Sequence, residues 1–194
     1  QTELHVDPTL DATESVCLLL GGVQHTLFGG MWQFTSKAVH ADTAYTNLPL
    51  AVHNDNTYFT EAAGLQVLHC IEHTGGSGGE TILVDGFYGA SCLREDNPED
   101  FEFLTTFDVE AEYIEEGHHH AFSAPVIQID RKTQDLKQIR QIKAAKFCPG
   151  TVMVMDNFRV LHGRTGFSGK RVLCGCYVAR SDWLDRSRAL GLIQ

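Results

Sequence analysis

The sequence predicts a mainly β fold with flanking helices, a sandwich or jelly roll. Several short apolar strands lie between clusters of Gly, Pro, Asn and Asp, hairpin-like connections join them, and helical patterns are confined to two stretches early and one late. With 194 residues, 43% of them hydrophobic, the chain is long enough for one sizeable core and a single domain.

Residues 1–26 are weakly periodic apart from Val16–Leu20 and a Gly-Gly break, and no element is assigned there. Phe28–Phe34 interleaves aromatics with glycine, which suits a strand or turn lining a cavity. Ala44–Val52 is short, apolar and extended, and delivers His53-Asn54-Asp55 at its end. Leu65–Glu72 reads as a strand, and Glu80–Asp85 as its hairpin partner across a Gly-rich tip. That tip, Gly75–Gly79, lacks the lysine of a phosphate-binding loop and reads as flexible. Gly86–Leu93 has helical character. Asn97-Pro98-Glu99-Asp100 starts a further helix running to about Phe107, with an Asn cap, proline at the first position and acids in the first turn. Pro125–Ile129 alternates as a strand, and Ser181–Gly191 is an amphipathic helix capped by Ser181.

The stretch Val152–Tyr177 reads as two strands joined at Gly-Phe-Ser-Gly. Folding it as a hairpin about Gly166 and Phe167 would set Arg171 beside His162. Arg171, Leu173, Gly175 and Tyr177 keep one parity, so a cation, a space and an aromatic ring form what looks like a pocket wall. Cys174 and Cys176 take the opposite face.

The net charge of −10 argues against nucleic acid as a partner, because phosphate binding needs a basic surface. The six cysteines contain no C-x-x-C pair and read as buried free thiols in a reducing compartment. A signal peptide and a membrane span are not expected in the sequence as given, which has no apolar run near eighteen residues.

Three His-x-Asp motifs occur, at His5-Val6-Asp7, His40-Ala41-Asp42 and His53-Asn54-Asp55. In a strand, residues two apart share a face, so one such pair and a second histidine would make a 2-His-1-carboxylate metal site. His53 and Asp55 are preferred because an apolar extended run leads into them, and His162 is the best isolated second histidine. For Arg171 two readings stand: an ion pair with an acid such as Asp156, or a bidentate grip on a small-molecule carboxylate. His118-His119-His120 alternate in direction along a strand and cannot all converge. Phe28, Trp32, Tyr45 and Tyr177 are either core or a π-lined site for a cation.

The motifs FGGMWQF, DTAYTNLPLAVHNDNTYF, GLQVLHCIEHTGGSGGETILVDGFY, DNFRVLHGR and GKRVLCGCY, with the tail SDWLDRSRALGL, span most of residues 27–192. Together they resemble the Fe(II)- and 2-oxoglutarate-dependent hydroxylases of carnitine biosynthesis. The resemblance implies a double-stranded β-helix, incomplete in the chain as given, with His53, Asp55 and His162 as iron ligands. It implies that Arg171 and Thr81 hold 2-oxoglutarate, and that Phe28, Trp32, Tyr45 and Tyr177 box a trimethylammonium group. It further implies dioxygen as co-substrate, ascorbate as reductant, a small-molecule trimethylammonium substrate, a mitochondrial matrix location (alternatively cytoplasmic), and it admits a homodimer. Within the family, the CGCY run and the tail favour hydroxylation of trimethyllysine over that of γ-butyrobetaine; a non-catalytic methylammonium-binding homologue is the alternative from another class. Relatives carry a few dozen further residues between Arg140 and Lys146, so a chain break near Gln141–Lys143, or else a shortened chain, is expected there. The family's N-terminal half has no counterpart in these residues.

Overall fold

The computed structural model describes residues 2–35, 47–115, 117–140 and 151–193. The hairpin partners expected from sequence turn out to lie in different sheets. A five-stranded antiparallel sheet contains, in spatial order, β1 (Thr2–His5), β10 (Thr151–Asp156), β4 (Leu65–Thr74), β12 (Lys170–Val178) and β2 (Trp32–Thr35). A three-stranded sheet contains β3 (Leu50–His53), β11 (Val160–Arg164) and β5 (Thr81–Asp85). Two separate hairpins, β6 (Asp108–Glu115) with β7 (His118–Pro125) and β8 (Ile127–Ile129) with β9 (Leu136–Ile139), complete the strands described.

β11 and β12 therefore do not form a hairpin, and neither do β4 and β5. In each case the Gly-rich connection crosses from one sheet to the other, and the two connections bind each other: Gly79 N–H donates to the Gly166 carbonyl at 3.0 Å and Ser168 N–H to the Ser77 carbonyl at 2.9 Å. The tip is accordingly a packed crossing, and Gly79, at φ 71°, holds a left-handed conformation in which a Cβ would crowd Phe167 at 3.1 Å and Arg171 at 3.2 Å.

Strand parity builds the layers. On the five-stranded sheet, Leu68, Cys70, Met153, Met155, Leu173 and Tyr177 face inward with Trp32. Their neighbours Val67, Val152, Cys176 and Val178 face outward onto Val16 and Cys17 of α1 (Leu10–Leu20) and Trp183 of α4 (Arg180–Ala189). Beneath the three-stranded sheet, Val52 and Leu161 pack with Ala90 of α2 (Gly86–Asp96) and Phe101 of α3 (Pro98–Thr106). Asn97 caps α3 as its sequence requires, its Oδ1 accepting from Asp100 N–H. α4 begins at Arg180, after Ala179 and without a side-chain cap, so Ser181 is inside the helix. α1 and the β6–β7 hairpin were not foreseen: the first has a weak apolar stripe, and the second, although Val109, Ala111 and Tyr113 alternate with acids on β6, is acid-rich there and opens β7 on three histidines. Among the described residues no helix is long and apolar enough to cross a membrane.

The thiol reading holds for four cysteines: Cys17, Cys70, Cys174 and Cys176 are free and buried, while Cys92 is half-buried. Cys174 meets Thr13 and Cys176 meets Cys17, on the face of β12 away from the cavity.

Candidate metal centre

A cavity of about 1410 Å³ lies between the two sheets. On the wall made by the three-stranded sheet, His162 of β11 is the cross-strand partner of His53 of β3, which brings their rings to 4.5 Å between centroids. Asp55 reaches the same point by a turn rather than by strand parity, since β3 ends at His53. Two buried asparagines set that turn. Asn157 accepts from Asp55 N–H at 3.0 Å and donates to the Asp55 and Ala63 carbonyls, and Asn54 donates to the Asn157 carbonyl at 2.8 Å. Neither asparagine was picked out from sequence, where a buried amide looks like any loop residue.

The ligand-type atoms of His53, Asp55 and His162 lie within 4.8 Å of one another, the one such group among the described residues. His53 Nε2 is 3.1 Å and His162 Nε2 3.8 Å from Asp55 Oδ1. His53 Nδ1 lies 2.8 Å from the Ala51 carbonyl, which can only accept, so Nδ1 carries the proton and Nε2 offers its lone pair. The His53 lone pair and the Asp55 carboxylate thus meet 3.1 Å apart, with His162 Nε2 beside them, an arrangement that a cation or an extra proton would relieve. Asp55 Oδ2 is occupied separately, accepting from Gln66 Nε2 at 2.5 Å and Tyr177 Oη–H at 2.7 Å, which leaves Oδ1 for the cation.

The charges follow the same logic. Burial alone would raise the Asp55 carboxyl, but the neighbouring His162 and His53 imidazoles, with the hydrogen bond from Tyr177, outweigh it and hold the group below the ordinary carboxylate range. Burial pushes the His162 imidazole down to about 4, keeping it neutral and able to ligate. Two neutral imidazoles and one carboxylate on one side of a point are the donor set of non-haem Fe(II) sites with open positions, and these residues fit that ion.

Arg171 does not stand opposite His162. It pairs with His73 on β4 and lines the cavity from the other sheet. It is 5% exposed, its charge disfavoured by burial, and it lies over the Phe167 ring with no carboxylate partner among the described residues. Asp156 pairs instead with Arg180 at 3.1 Å, so it is not the acid that Arg171 would pair with. Thr81, buried at the start of β5, lines the same cavity.

Of the aromatics, Trp32 and Tyr177 meet with ring centroids 5.6 Å apart, and Trp32 packs on Phe34 at 4.6 Å. Gly175 is a space in the wall, because a Cβ there would lie 2.4 Å from the Trp32 ring. Phe28 packs against that cluster and meets Tyr113 edge-on at 5.6 Å. Tyr113 in turn stacks on Tyr58 at 5.0 Å; both line the cavity and were not anticipated. Tyr45, His40 and Asp42 lie outside the described residues, as does the expected break near Gln141–Lys143. His119 pairs with Glu112 on the exposed face of the β6–β7 hairpin.

The family model for the taurine catabolism dioxygenase TauD, TfdA family matches residues 4–142 and 136–177. Among curated proteins the chain is 38% identical to mitochondrial trimethyllysine dioxygenases of Mus musculus and Homo sapiens, over 97% of this chain and 54% of each relative. It is 34% identical to the trimethyllysine dioxygenase of Meyerozyma guilliermondii, over 96% of this chain and 56% of that one. The chain spans about half the length of these relatives. The alignments run over 227 positions, more than the chain's 194 residues, so the relatives carry extra residues within the matched span. Its fold resembles that of PvcB, described as an Fe, alpha-ketoglutarate dependent oxygenase (TM-score 0.62, 17% identity, 88% of this chain and 71% of that one). It also resembles that of the non-heme iron oxygenase OrfP (TM-score 0.64, 17% identity, 90% and 64%).

Proposed function

The chain belongs to the TauD/TfdA dioxygenase family, and from that premise we propose that it hydroxylates trimethyllysine on the carbon next to its α-carbon, with Fe(II) and 2-oxoglutarate. The observation that carries the reading is the convergence of His53 Nε2, Asp55 Oδ1 and His162 Nε2 on one cavity wall, facing a second wall of Arg171 and aromatic rings. Bound Fe(II), with 2-oxoglutarate and dioxygen, supplies the oxidation that the side chains cannot: one oxygen atom enters the substrate C–H bond, the other enters succinate, and carbon dioxide leaves.

The residues supply position. Arg171, a buried fork of donors without an acid of its own, grips the distal carboxylate of 2-oxoglutarate, and the Thr81 hydroxyl adds a donor. Trp32, Tyr177 and Phe28, which line the cavity, surround the trimethylammonium; Tyr45 joins them by the resemblance alone and lies outside the described residues. A quaternary ammonium has no proton to donate, so π-faces are its suitable partners, at roughly 0.5–2 kcal/mol per contact. Tyr177 has two duties, its ring in the wall and its hydroxyl on Asp55. The names of the animal relatives support a mitochondrial location, and ascorbate is the reductant proposed to keep the iron ferrous.

Turnover of 2-oxoglutarate by the iron-loaded protein, followed in parallel with trimethyllysine and with γ-butyrobetaine, tests the proposal. Trimethyllysine should be preferred. Preference for γ-butyrobetaine would overturn the substrate, and metal and 2-oxoglutarate binding without turnover of either would favour a binding module.

A further inference from the structure

Asn56 directly follows the ligand-type residue Asp55. It is 3% exposed, lines the cavity, and neither its Nδ2 nor its Oδ1 has a hydrogen-bond partner among the described residues. Its φ of 59° places it in the left-handed region, which asparagine or glycine accepts. That conformation explains why a small, flexible residue stands here. It does not explain an amide kept out of water with donor and acceptor both unmet, which is costly unless a ligand completes them. A second observation concerns the next residue, whose carbonyl accepts from the Arg140 guanidinium. Arg140 is buried, lines the same cavity, and donates also to the Ala124 carbonyl at 2.9 Å. Asp108 acts on its charge through space, but no carboxylate is hydrogen-bonded to it among the described residues.

We propose that Asn56, with the charge of Arg140, forms the subsite for the α-ammonium and α-carboxylate of an amino-acid substrate. Oδ1 accepts from the ammonium and Nδ2 donates to the carboxylate, a pairing that one amide makes with a zwitterion. The placement fits the chemistry, because the carbon to be hydroxylated adjoins the α-carbon. The amino-acid head must therefore lie beside the metal ligands, where Asn56 is, while the trimethylammonium reaches the aromatic wall at the other end of the side chain. The inference rests on the trimethyllysine reading and deepens it: the aromatic wall recognises any trimethylammonium, and Asn56 separates an amino acid from a simple betaine.

The test measures binding without turnover, on protein loaded with Mn(II) and 2-oxoglutarate in the absence of oxygen. The two probes are trimethyllysine and trimethylammonio-hexanoate, which differ only in the α-amino group. Wild type should bind trimethyllysine tighter by about tenfold or more, the worth of a hydrogen bond to a charged group. Asn56→Gly, which keeps the left-handed backbone and removes the amide, should lose that preference. Asn56→Asp, similar in shape but repelling a carboxylate, should weaken trimethyllysine binding and gives a readout should the glycine variant fail to fold. If Asn56→Gly keeps the wild-type preference, or if wild type shows none, the subsite is overturned while the trimethyllysine reading stands. If wild type binds metal and 2-oxoglutarate but neither probe, the substrate reading fails and the subsite with it.

Discussion

At Asp55 the two carboxylate oxygens have separate tasks, one turned to the histidines and the other held by Gln66 and Tyr177. His162 is buried and neutral, pushed down to about 4 from the ordinary 6.5, so between those values the unfolded chain takes up a proton that the folded chain refuses. Asp55, depressed below the ordinary carboxylate value of 3.8, loses stability further down in the same direction. The metal-free protein should therefore lose stability on the order of 1–3 kcal/mol as pH falls from 6.5 towards 4, seen in chemical denaturation at a series of pH values. A flat profile would mean that His162 is not held neutral. Arg171 offers a different check. Arg171→Ala should raise the 2-oxoglutarate concentration needed for half-maximal turnover by about tenfold or more, since a charge-assisted bidentate contact is lost. His53, Asp55, His162 and Arg171 were legible because their residue types are tied to one chemistry. Asn56, Asn157 and Gln66 were not, because an amide declares no role until its partners are known.

Strands β11 and β12 look like a hairpin on local signals alone: two apolar runs and a glycine-containing connection. Turn chemistry sets how the chain reverses, not which sheet the next strand joins. The parity of β12 was readable, however, because alternation is a property of any strand. Arg171, Leu173 and Tyr177 do line the cavity, and Cys174 and Cys176 do face the helix behind. Gly175 is the element's tightest point, where an added methyl would meet the Trp32 ring and the Val67 carbonyl at 2.4 Å. Gly175→Ala should cost about 1–3 kcal/mol by overpacking and weaken the trimethylammonium substrate more than 2-oxoglutarate. Thermal unfolding together with the two half-saturation values checks both parts; an unaltered melting temperature would show that the wall can give way.

Across the whole molecule the proposed chemistry is divided between the sheets. The proposed metal ligands belong to the three-stranded sheet and its turn, whereas Arg171, Trp32 and Tyr177 belong to the five-stranded one, and the Asp55–Tyr177 and Asp55–Gln66 hydrogen bonds join them. A metal bound at the triad should therefore stabilise the fold: at a hundred times its dissociation constant, Mn(II) should add about 2.7 kcal/mol, a melting shift of several degrees. His162→Ala should abolish the shift, and an equal shift in that variant would place the ion elsewhere. The sequence by itself determined the fold class, the residue types proposed to hold iron and a keto acid, and the alternation that turns Tyr177 inward and Cys176 outward. These follow from side-chain chemistry and strand geometry, which are local. The tertiary structure alone decided that His162 and Arg171 stand on opposite walls, that a turn held by asparagines brings Asp55 to the histidines, and that Asn56 keeps an unmet amide in the cavity. Those depend on pairing between residues some hundred positions apart, where energy is set by which surfaces meet and no short stretch of chain carries the information.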